Sequence, residues 1–258
     1  MRELERDLPT PAAELPSLAI VGAGRMGRSI AAAATASGLP ARLAGRDDAL
    51  GATRDAAVAL LCVPDDAIQK VAAGLASAEP PPRFAGHTSG ATTLAALQPL
   101  GDAGAELFSL HPLQTIPDSS ADFTGCPAAI AGSSQAALEL ARGLAVRLGM
   151  RPFEVPEERR AGYHAAASMA SNLLVALEES AAELLESIGL DAGRELLAPL
   201  VLRTAANWAD RGAGALTGPI ARGDEATVAR HLEALRETAP ELVPLYEALA
   251  ERAREVAP

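Results

Sequence analysis

The sequence predicts an α/β fold in which an N-terminal, doubly wound parallel sheet is followed by an all-helical C-terminal domain. Short apolar runs alternate with helical segments up to about Val155, the pattern of a parallel sheet covered by helices. From Pro156 onward no strand pattern remains. The chain is 49% hydrophobic and only 3% aromatic, and its alanine-rich composition favours helices. We therefore expect a flexible tail at 1–16, a nucleotide-binding sheet domain at 17–155 and a helical domain for substrate and dimerisation at 156–258.

The first predicted strand, Leu18 to Val21, runs into three glycines with G-x-G-x-x-G spacing, and a helix follows to about Ser37. In such a motif the first glycine permits a tight turn, the second lets a pyrophosphate approach the backbone, and the third lets the helix pack close to the strand. The start of the helix offers free N–H groups to the phosphates. The motif therefore predicts a dinucleotide-binding Rossmann domain. Its predicted cofactor-binding residues are Gly22, Gly24, Arg25, Met26 and Gly27.

The end of the second predicted strand, Ala41 to Ala44, bears on the choice of cofactor. The strand is followed by Gly45, Arg46 and Asp47. An acidic residue at this place binds the ribose 2′-hydroxyl of NAD, whereas an arginine accommodates the 2′-phosphate of NADP. Arg46 favours NADP, and the alternative is that Asp47 binds the ribose of NAD.

Polar clusters follow three later strands, predicted at 56–63, 83–87 and 105–110, and ligands of open α/β sheets bind beyond the carboxyl ends of the strands. We expect Asp65 or Asp66 to cap the helix after the first of these. Ser89 and His111 are expected to face the substrate. Further strands are predicted at 128–131 and 151–155, around a helix at about 134–148. The additional cofactor-binding residues predicted from these clusters are Val63, Pro64, His87 and Thr88, and the alternative for His87 is a structural role.

The helical domain is expected to begin with one long helix from Glu157 to about Ile188. At 100° per residue, one arc of this helix holds only uncharged polar residues and histidine, which suits an enclosed site. The members of this arc are His164, Ser168, Ser171 and Asn172. Further helices are predicted at about 191–209, 224–237 and 240–256, the second with Asp224 as its N-cap. The segment from Thr217 to Asp224, which includes Arg222, is either a connector or a loop that closes over the site.

A reductase of carbonyl or imine groups needs a proton donor and donors for a substrate carboxylate. Histidine is the obvious acid near neutral pH, and we expect it to be His164 or His111. The only lysine, Lys70, is predicted on a helix of the first domain, so a lysine acid in the second domain is excluded. His231 lies on a charged helix and is expected to be exposed. The predicted catalytic residues are His164, His111, Ser89, Asn172 and Ser168.

Composition excludes several other functions. A net charge of −11 argues against nucleic acids and anionic membranes as partners. No cysteine–histidine cluster has zinc spacing, so no metal is expected. Cys62 and Cys126 are expected to be buried, reduced thiols. The N-terminus lacks the pattern of a signal peptide, and we expect a cytoplasmic protein.

Six stretches carry a resemblance to a known family. The chain resembles the Rossmann-like oxidoreductases whose C-terminal helical domain is of unknown function. These proteins are similar in plan to pyrroline-5-carboxylate reductases, ketopantoate reductases, 3-hydroxyisobutyrate dehydrogenases and prephenate dehydrogenases, and the resemblance implies an NADP-dependent homodimer joined through its helical domain. The matching stretches are IVGAGRMG, LLCVPDDAI, GHTSG, FSLHPLQT, YHAAASMASN and ALTGPIARGD.

The resemblance also bears on the catalytic residues. The 3-hydroxyacid dehydrogenases and ketopantoate reductases carry a catalytic lysine on the first long helix, with an asparagine one turn later. Here His164 stands near the place of that lysine, and Asn172 lies two turns further on. Prephenate dehydrogenases carry a serine after one strand and a His-Pro pair after the next, a layout that Ser89 and His111-Pro112 repeat.

These observations together predict an NADP-dependent oxidoreductase acting on a small carboxylate-bearing carbonyl compound, with a 2-oxo acid of the ketopantoate type as the first choice. One alternative is an imine reductase of the pyrroline-5-carboxylate type. The other is a non-catalytic protein that binds NADP as a sensor or partner module, which the missing lysine favours.

Overall fold

A computed structural model describes residues 15–257 of the chain. The predicted tail at 1–16 lies, up to residue 14, outside the described residues. The chain divides into two compact units, Met1–Ser168 and Met169–Pro258. The first unit thus extends past Val155, where the sequence pattern changes from strands to helices.

The first unit is built on a seven-stranded sheet in the order β2-β1-β3-β4-β5-β6-β7. Strands β1 to β5 are all parallel, β6 is antiparallel to β5, and β7 is parallel to β6. The predicted fold class is confirmed, with one antiparallel pair that the sequence pattern does not indicate. The strands are β1 (Leu18–Val21), β2 (Ala41–Ala44), β3 (Val58–Leu61), β4 (Phe84–His87), β5 (Glu106–Pro112), β6 (Pro127–Gly132) and β7 (Arg151–Glu154).

Helices cover both faces of this sheet. Because successive side chains of a strand point to opposite faces, Leu18 and Ile20 join a core cluster with α1 and α5, while Val21 joins another with α3 and α4. The two clusters are the two faces of a doubly wound sheet. The helices of this unit are α1 (Arg25–Ala36), α2 (Ala49–Arg54), α3 (Ile68–Leu75), α4 (Gln98–Asp102), α5 (Gln135–Arg147) and α6 (Arg160–Ala170), whose last two residues belong to the second unit.

The prediction of one long helix from Glu157 to Ile188 is wrong. A 3-10 turn at Glu157–Arg159 leads into α6, and the next helix, α7, begins at Asn172. Between them Ser171 leaves the helical region, with φ −130° and ψ −84°. Serine and asparagine favour helix ends because their side chains compete for backbone hydrogen bonds. The adjacent Ser171 and Asn172 therefore divide an otherwise continuous helical pattern.

The second unit consists of helices, as predicted. Asp224 is confirmed as an N-cap, because its carboxylate accepts a hydrogen bond from the Thr227 N–H at 3.1 Å. Asp65 and Asp66 do not cap α3, since a 3-10 turn at Asp65–Ala67 precedes that helix. No helix in the described part of the chain is both long and apolar enough to cross a membrane. The helices are α7 (Asn172–Ser187), α8 (Gly193–Arg211), α9 (Glu225–Thr238) and α10 (Val243–Val256).

Candidate active site

The register of the sheet aligns the ends of its parallel strands in one row. That row consists of Ala44, Val21, Leu61, His87 and Ser109, in spatial order from β2 to β5. The residues just beyond this row include the glycine loop, Arg46, Val63, Ser89 and His111. The sheet therefore brings the predicted cofactor and substrate residues of five strands to one edge.

The three glycines of the loop differ in what surrounds them. Gly22 has φ +117°, and a Cβ there would overlap the carbonyl oxygen of Cys62. A Cβ at Gly27 would overlap the carbonyl oxygen of Gly22. By contrast, no atom lies within 4 Å of the Cβ position of Gly24, the N-cap residue of α1. Gly22 and Gly27 thus shape the turn, and Gly24 leaves open space beside the free N–H groups of the first helical turn.

Two neighbours of the loop have other contacts. The Arg25 guanidinium donates to the carbonyl oxygen of Pro117 at 3.2 Å, which ties the loop after β5 to the start of α1. Met26 is half-buried and packs against the core beneath the loop.

Arg46 is exposed just past β2 and forms no ion pair with any of residues 15–257. The nearby Arg42 instead engages the carboxylates of Asp48 at 2.7 Å and Asp55 at 3.3 Å. Two acidic side chains near Arg46 are therefore already paired, and its guanidinium remains open to an anion. Asp47 is exposed as well.

Of the two predicted alternatives for His87, a structural residue or a cofactor-lining one, its surroundings fit the structural one. His87 is 0% exposed, and within the described chain neither ring nitrogen has a hydrogen-bond partner. Burial and the Arg160 cation lower its pKa to about 4, against partial opposing effects from the Thr93 backbone and Asp65. The reason is its position: His87 is the last residue of β4 and lies in the core, below the edge at which a ligand would bind.

The two predicted catalytic histidines lie close together. The rings of His111 and His164 have centroids 6.0 Å apart. A Cβ built on Gly90 would lie 2.6 Å from His164 Cδ2 and 2.8 Å from His111 Nε2, so both imidazoles converge on this glycine. Any larger residue at position 90 would displace them.

Tyr163 fixes the orientation of His111, since its hydroxyl lies 2.7 Å from His111 Nδ1. Burial lowers the pKa of His111 to about 4, with contributions from nearby His164 and Arg160, and burial raises the pKa of Tyr163 to about 12. At pH 7 His111 is therefore neutral and the phenol is protonated. When the phenol donates to Nδ1, the imidazole proton resides on Nε2, the nitrogen nearest Gly90.

Of the remaining predicted catalytic residues, Ser89 is buried after β4, where its hydroxyl oxygen accepts hydrogen bonds from the N–H groups of Ala91 and Thr92. Ser168 is half-buried on α6. Asn172 is exposed at the start of α7 in the second unit. Because α6 ends at Ala170, the predicted arc from His164 to Asn172 on one helix does not exist.

Sequence reasoning missed Arg160, which is 1% exposed. Its Nη1 donates to Ser109 Oγ at 2.8 Å and lies 3.2 Å from Glu157 Oε1, and its Nη2 donates to the Ser89 carbonyl oxygen at 2.8 Å. The only signal in the sequence is the Glu157–Arg160 spacing, which is typical of exposed helical ion pairs.

Side-chain contacts join the first part of α6 to the end of β5. Arg160 bonds to Ser109, and His164 lies beside His111. Four helical residues rise about 6 Å and two strand residues about 6.6 Å, so the spacings of the two elements agree. The site is thus assembled from the ends of β4 and β5 and the first turn and a half of α6.

The structure also places the thiols. Cys62 and Cys126 are free and buried, as predicted, and burial raises the pKa of the Cys62 thiol to about 12. Among residues 15–257, no group of three or more His, Cys, Asp and Glu side chains is arranged to hold a metal ion.

Sequence comparison assigns both parts of the chain. Residues 44–112 match the family described as "Rossmann-like domain". Residues 126–253 match the family described as "Domain of unknown function (DUF2520)". The chain thus carries a Rossmann-like domain followed by a DUF2520 domain. Among curated proteins, no sequence matches this DUF2520 protein.

Solved structures share its fold. A Bacteroides fragilis protein, described as a candidate NADP oxidoreductase, superimposes with a TM-score of 0.75 at 22% identity, covering 94% of this chain and 99% of its own. A Thermotoga maritima protein gives 0.73 at 23% identity, covering 93% and 98%. Plasmodium falciparum pyrroline carboxylate reductase with NADP bound gives 0.62 at 11% identity, covering 96% and 100%. At these identities the likeness concerns the fold.

Proposed function

We propose that this DUF2520 protein is an NADP-dependent oxidoreductase acting on a small carboxylate-bearing carbonyl compound, first of all a 2-oxo acid of the ketopantoate type. The observation that carries the proposal is a single sheet edge with a glycine loop of the phosphate-binding type after β1 and, two strands away after β4, Gly90, on which His111 and His164 converge. The Bacteroides and Plasmodium proteins, whose descriptions name NADP, support it by analogy of fold.

The residues at this edge fit NADP. The open space at Gly24 and the free N–H groups that begin α1 suit a pyrophosphate. Arg46, exposed and unpaired within the described residues, suits a 2′-phosphate. When bound, this cofactor supplies or accepts a hydride. Val63, Pro64 and Thr88 follow the neighbouring strands and are proposed to line its other side.

His164 is the proposed proton donor to the carbonyl oxygen. His164 is half-buried on α6 next to the neutral His111. The His164 imidazole can therefore carry the transferred proton while His111 donates a hydrogen bond through Nε2. Ser89 would bind the substrate carboxylate, and Ser168, one turn after His164, would orient the substrate. We do not extend the proposal to Asn172, because α6 ends before it.

The test is NADPH oxidation across a set of small 2-oxo acids, followed by His164→Ala with the best substrate. Loss of a positioned general acid lowers kcat by about 100- to 10,000-fold. NADPH affinity should stay unchanged, as should kcat in His231→Ala, which alters an exposed histidine on α9. An unchanged kcat in His164→Ala would remove His164 from the mechanism.

An imine reductase is the second candidate, and the neutrality of His111 favours it. A buried site in which His111 is neutral accepts a protonated cyclic imine more readily than a site in which His111 is charged. Such a substrate carries its proton before the hydride arrives, so His164→Ala should retain most turnover of 1-pyrroline-5-carboxylate. Tight NADPH binding without oxidation of either substrate class would instead favour the non-catalytic alternative.

We further propose a homodimer formed through the second unit. The only buried residues of α7 and α8 are Ala182 and Gly193, respectively. Val175 and Leu202 are 62% and 70% exposed, and apolar surface of this extent marks an interface. A second copy of the chain would cover both helices. Other large exposed apolar side chains on these helices are Leu173, Leu196, Leu200 and Trp208.

A further inference from the structure

One ion pair holds both ends of the segment from Ser89 to Leu94. Arg160 donates to the Ser89 carbonyl oxygen at 2.8 Å, and Glu157 Oε2 accepts from the Leu94 N–H at 2.6 Å. The two charges also lie against each other at 3.2 Å. A segment more than sixty residues away in sequence is therefore fixed by the start of α6.

The peptide between Ser89 and Gly90 is polarised by this arrangement. It is trans, so the Gly90 N–H points away from the guanidinium that binds the Ser89 carbonyl. A cation at the carbonyl draws electron density through the peptide and strengthens the N–H as a donor. Gly90 is buried, and its N–H forms no hydrogen bond with any described residue. Such a group requires an acceptor.

The neighbouring hydroxyl is also a donor. Ser89 Oγ already accepts from the N–H groups of Ala91 and Thr92, at 3.2 and 2.9 Å, which leaves its O–H to donate. The position next to Gly90 thus offers two donors on adjacent residues. A carboxylate, with two acceptor oxygens, satisfies both.

We infer that Arg160 is a positioning residue, which orients and polarises the Ser89–Gly90 peptide so that the Gly90 N–H and the Ser89 hydroxyl bind the carboxylate of the substrate. Glu157 offsets the charge of Arg160 and thereby limits this polarisation. The inference rests on the proposed function, because it assigns the carboxylate of that substrate class to these two donors.

Binding of oxamate, a carboxylate analogue of 2-oxo acids, and of its neutral counterpart oxamide tests the inference in the full-length protein with NADP⁺ present. Arg160→Met, which removes the charge at similar length, should weaken oxamate about tenfold or more, as expected for a charge-assisted hydrogen bond. Oxamide affinity should not change. Arg159→Met is the matched control, because Arg159 is exposed in the same turn, and it should alter neither affinity.

Glu157→Gln separates the electrostatic role from a merely structural one. The glutamine oxygen can still accept from Leu94, while the negative charge beside Arg160 disappears. Oxamate should therefore bind as tightly as in the wild type or more tightly. If Arg160→Met fails to fold, this variant decides: unchanged or tighter binding supports the inference, and weaker binding overturns it. The inference is also overturned if Arg160→Met weakens the binding of oxamate and oxamide equally, or if the wild type does not bind oxamate.

Titration of the four histidines by NMR, without cofactor, gives a readout that does not depend on activity. Removing the Arg160 cation should raise the pKa of His111, and removing the Glu157 charge should lower it further or leave it low. The other groups around His111, which stay constant, are Tyr163 and His164 on α6 and Asp65 after β3. An unmoved His111 in Arg160→Met would contradict the charge effect. Absent NADPH binding would overturn the proposed function and leave this titration readable.

Discussion

Acid should destabilise this protein through His87, and replacing His87 with leucine should remove much of that sensitivity. The histidine is fully buried beside the Arg160 guanidinium, and neither ring nitrogen has a partner within residues 15–257. A proton added to His87 would place a second cation in the core next to the first. The folded state therefore keeps His87 neutral at pH values at which an unfolded chain protonates it.

The size of the effect follows from the two pKa values. His87 titrates at about 4 when folded and near its ordinary 6.5 when unfolded. Between these values the unfolded state binds more protons, so the stability falls as the pH drops. The full pKa shift corresponds to about 3 kcal/mol of the free energy of unfolding, and about 2 kcal/mol of this stability is lost when the pH falls to 5. At pH 7 the variant should be as stable as the wild type or more so, because an unsatisfied buried polar group costs about 1–3 kcal/mol.

Urea unfolding at pH 7 and pH 5 measures the difference. From pH 7 to pH 5, the free energy of unfolding of the wild type should fall by about 2 kcal/mol more than that of His87→Leu. His231→Leu, at an exposed histidine, serves as the control and should follow the wild type. If His87→Leu loses as much stability as the wild type, the acid sensitivity does not arise from His87, and the assignment of a neutral, buried imidazole is wrong.

Four further variants test the cofactor site and the dimer. Arg46→Ala should weaken NADPH binding about tenfold to a hundredfold, as for a lost charged hydrogen bond, and leave NADH binding unchanged. Arg54→Ala on α2 is the control. Equal effects of Arg46→Ala on both cofactors would refute the NADP assignment. Gly24→Ala should leave the free energy of unfolding unchanged but weaken NADPH binding. Gly27→Ala should lower the free energy of unfolding, because its methyl group overlaps the Gly22 carbonyl oxygen. Leu200→Asp should convert a dimer into a monomer in sedimentation velocity, and a wild-type monomer at micromolar concentration would contradict the proposed interface.

Much of the first unit was predictable because its strands are short apolar runs ended by glycine or proline. The glycine loop and the row of strand ends followed from that pattern. The direction of β6 did not, since residues 128–131 are apolar in either orientation. Apolar periodicity also continues through Ser171, so it could not reveal the break between α6 and α7.

The site was predictable where side chains follow a strand, and not where burial depends on distant partners. The positions of Ser89 and His111 at the sheet edge were predictable because these residues lie just beyond β4 and at the end of β5. Arg160 resembled a surface residue, and its burial arises only when Ser109 and Ser89 meet it, 51 and 71 positions away in sequence. His87 could be predicted only as either structural or cofactor-lining, because a sequence shows that a residue ends a strand but not how deeply that end is buried.

The reversal of β6 and β7 has a consequence for dividing this protein into working parts. Because Glu154, the last residue of β7, is level with Leu110 near the site edge, the chain passes from β7 into α6 and places Arg160 against Ser109. A chimera joined at Val155, where the strand pattern ends, would leave Ser109 and the Ser89 carbonyl without their arginine. The junction that preserves a nucleotide-binding module lies instead after Ser168, so the interchangeable piece carries its own histidine and arginine from α6.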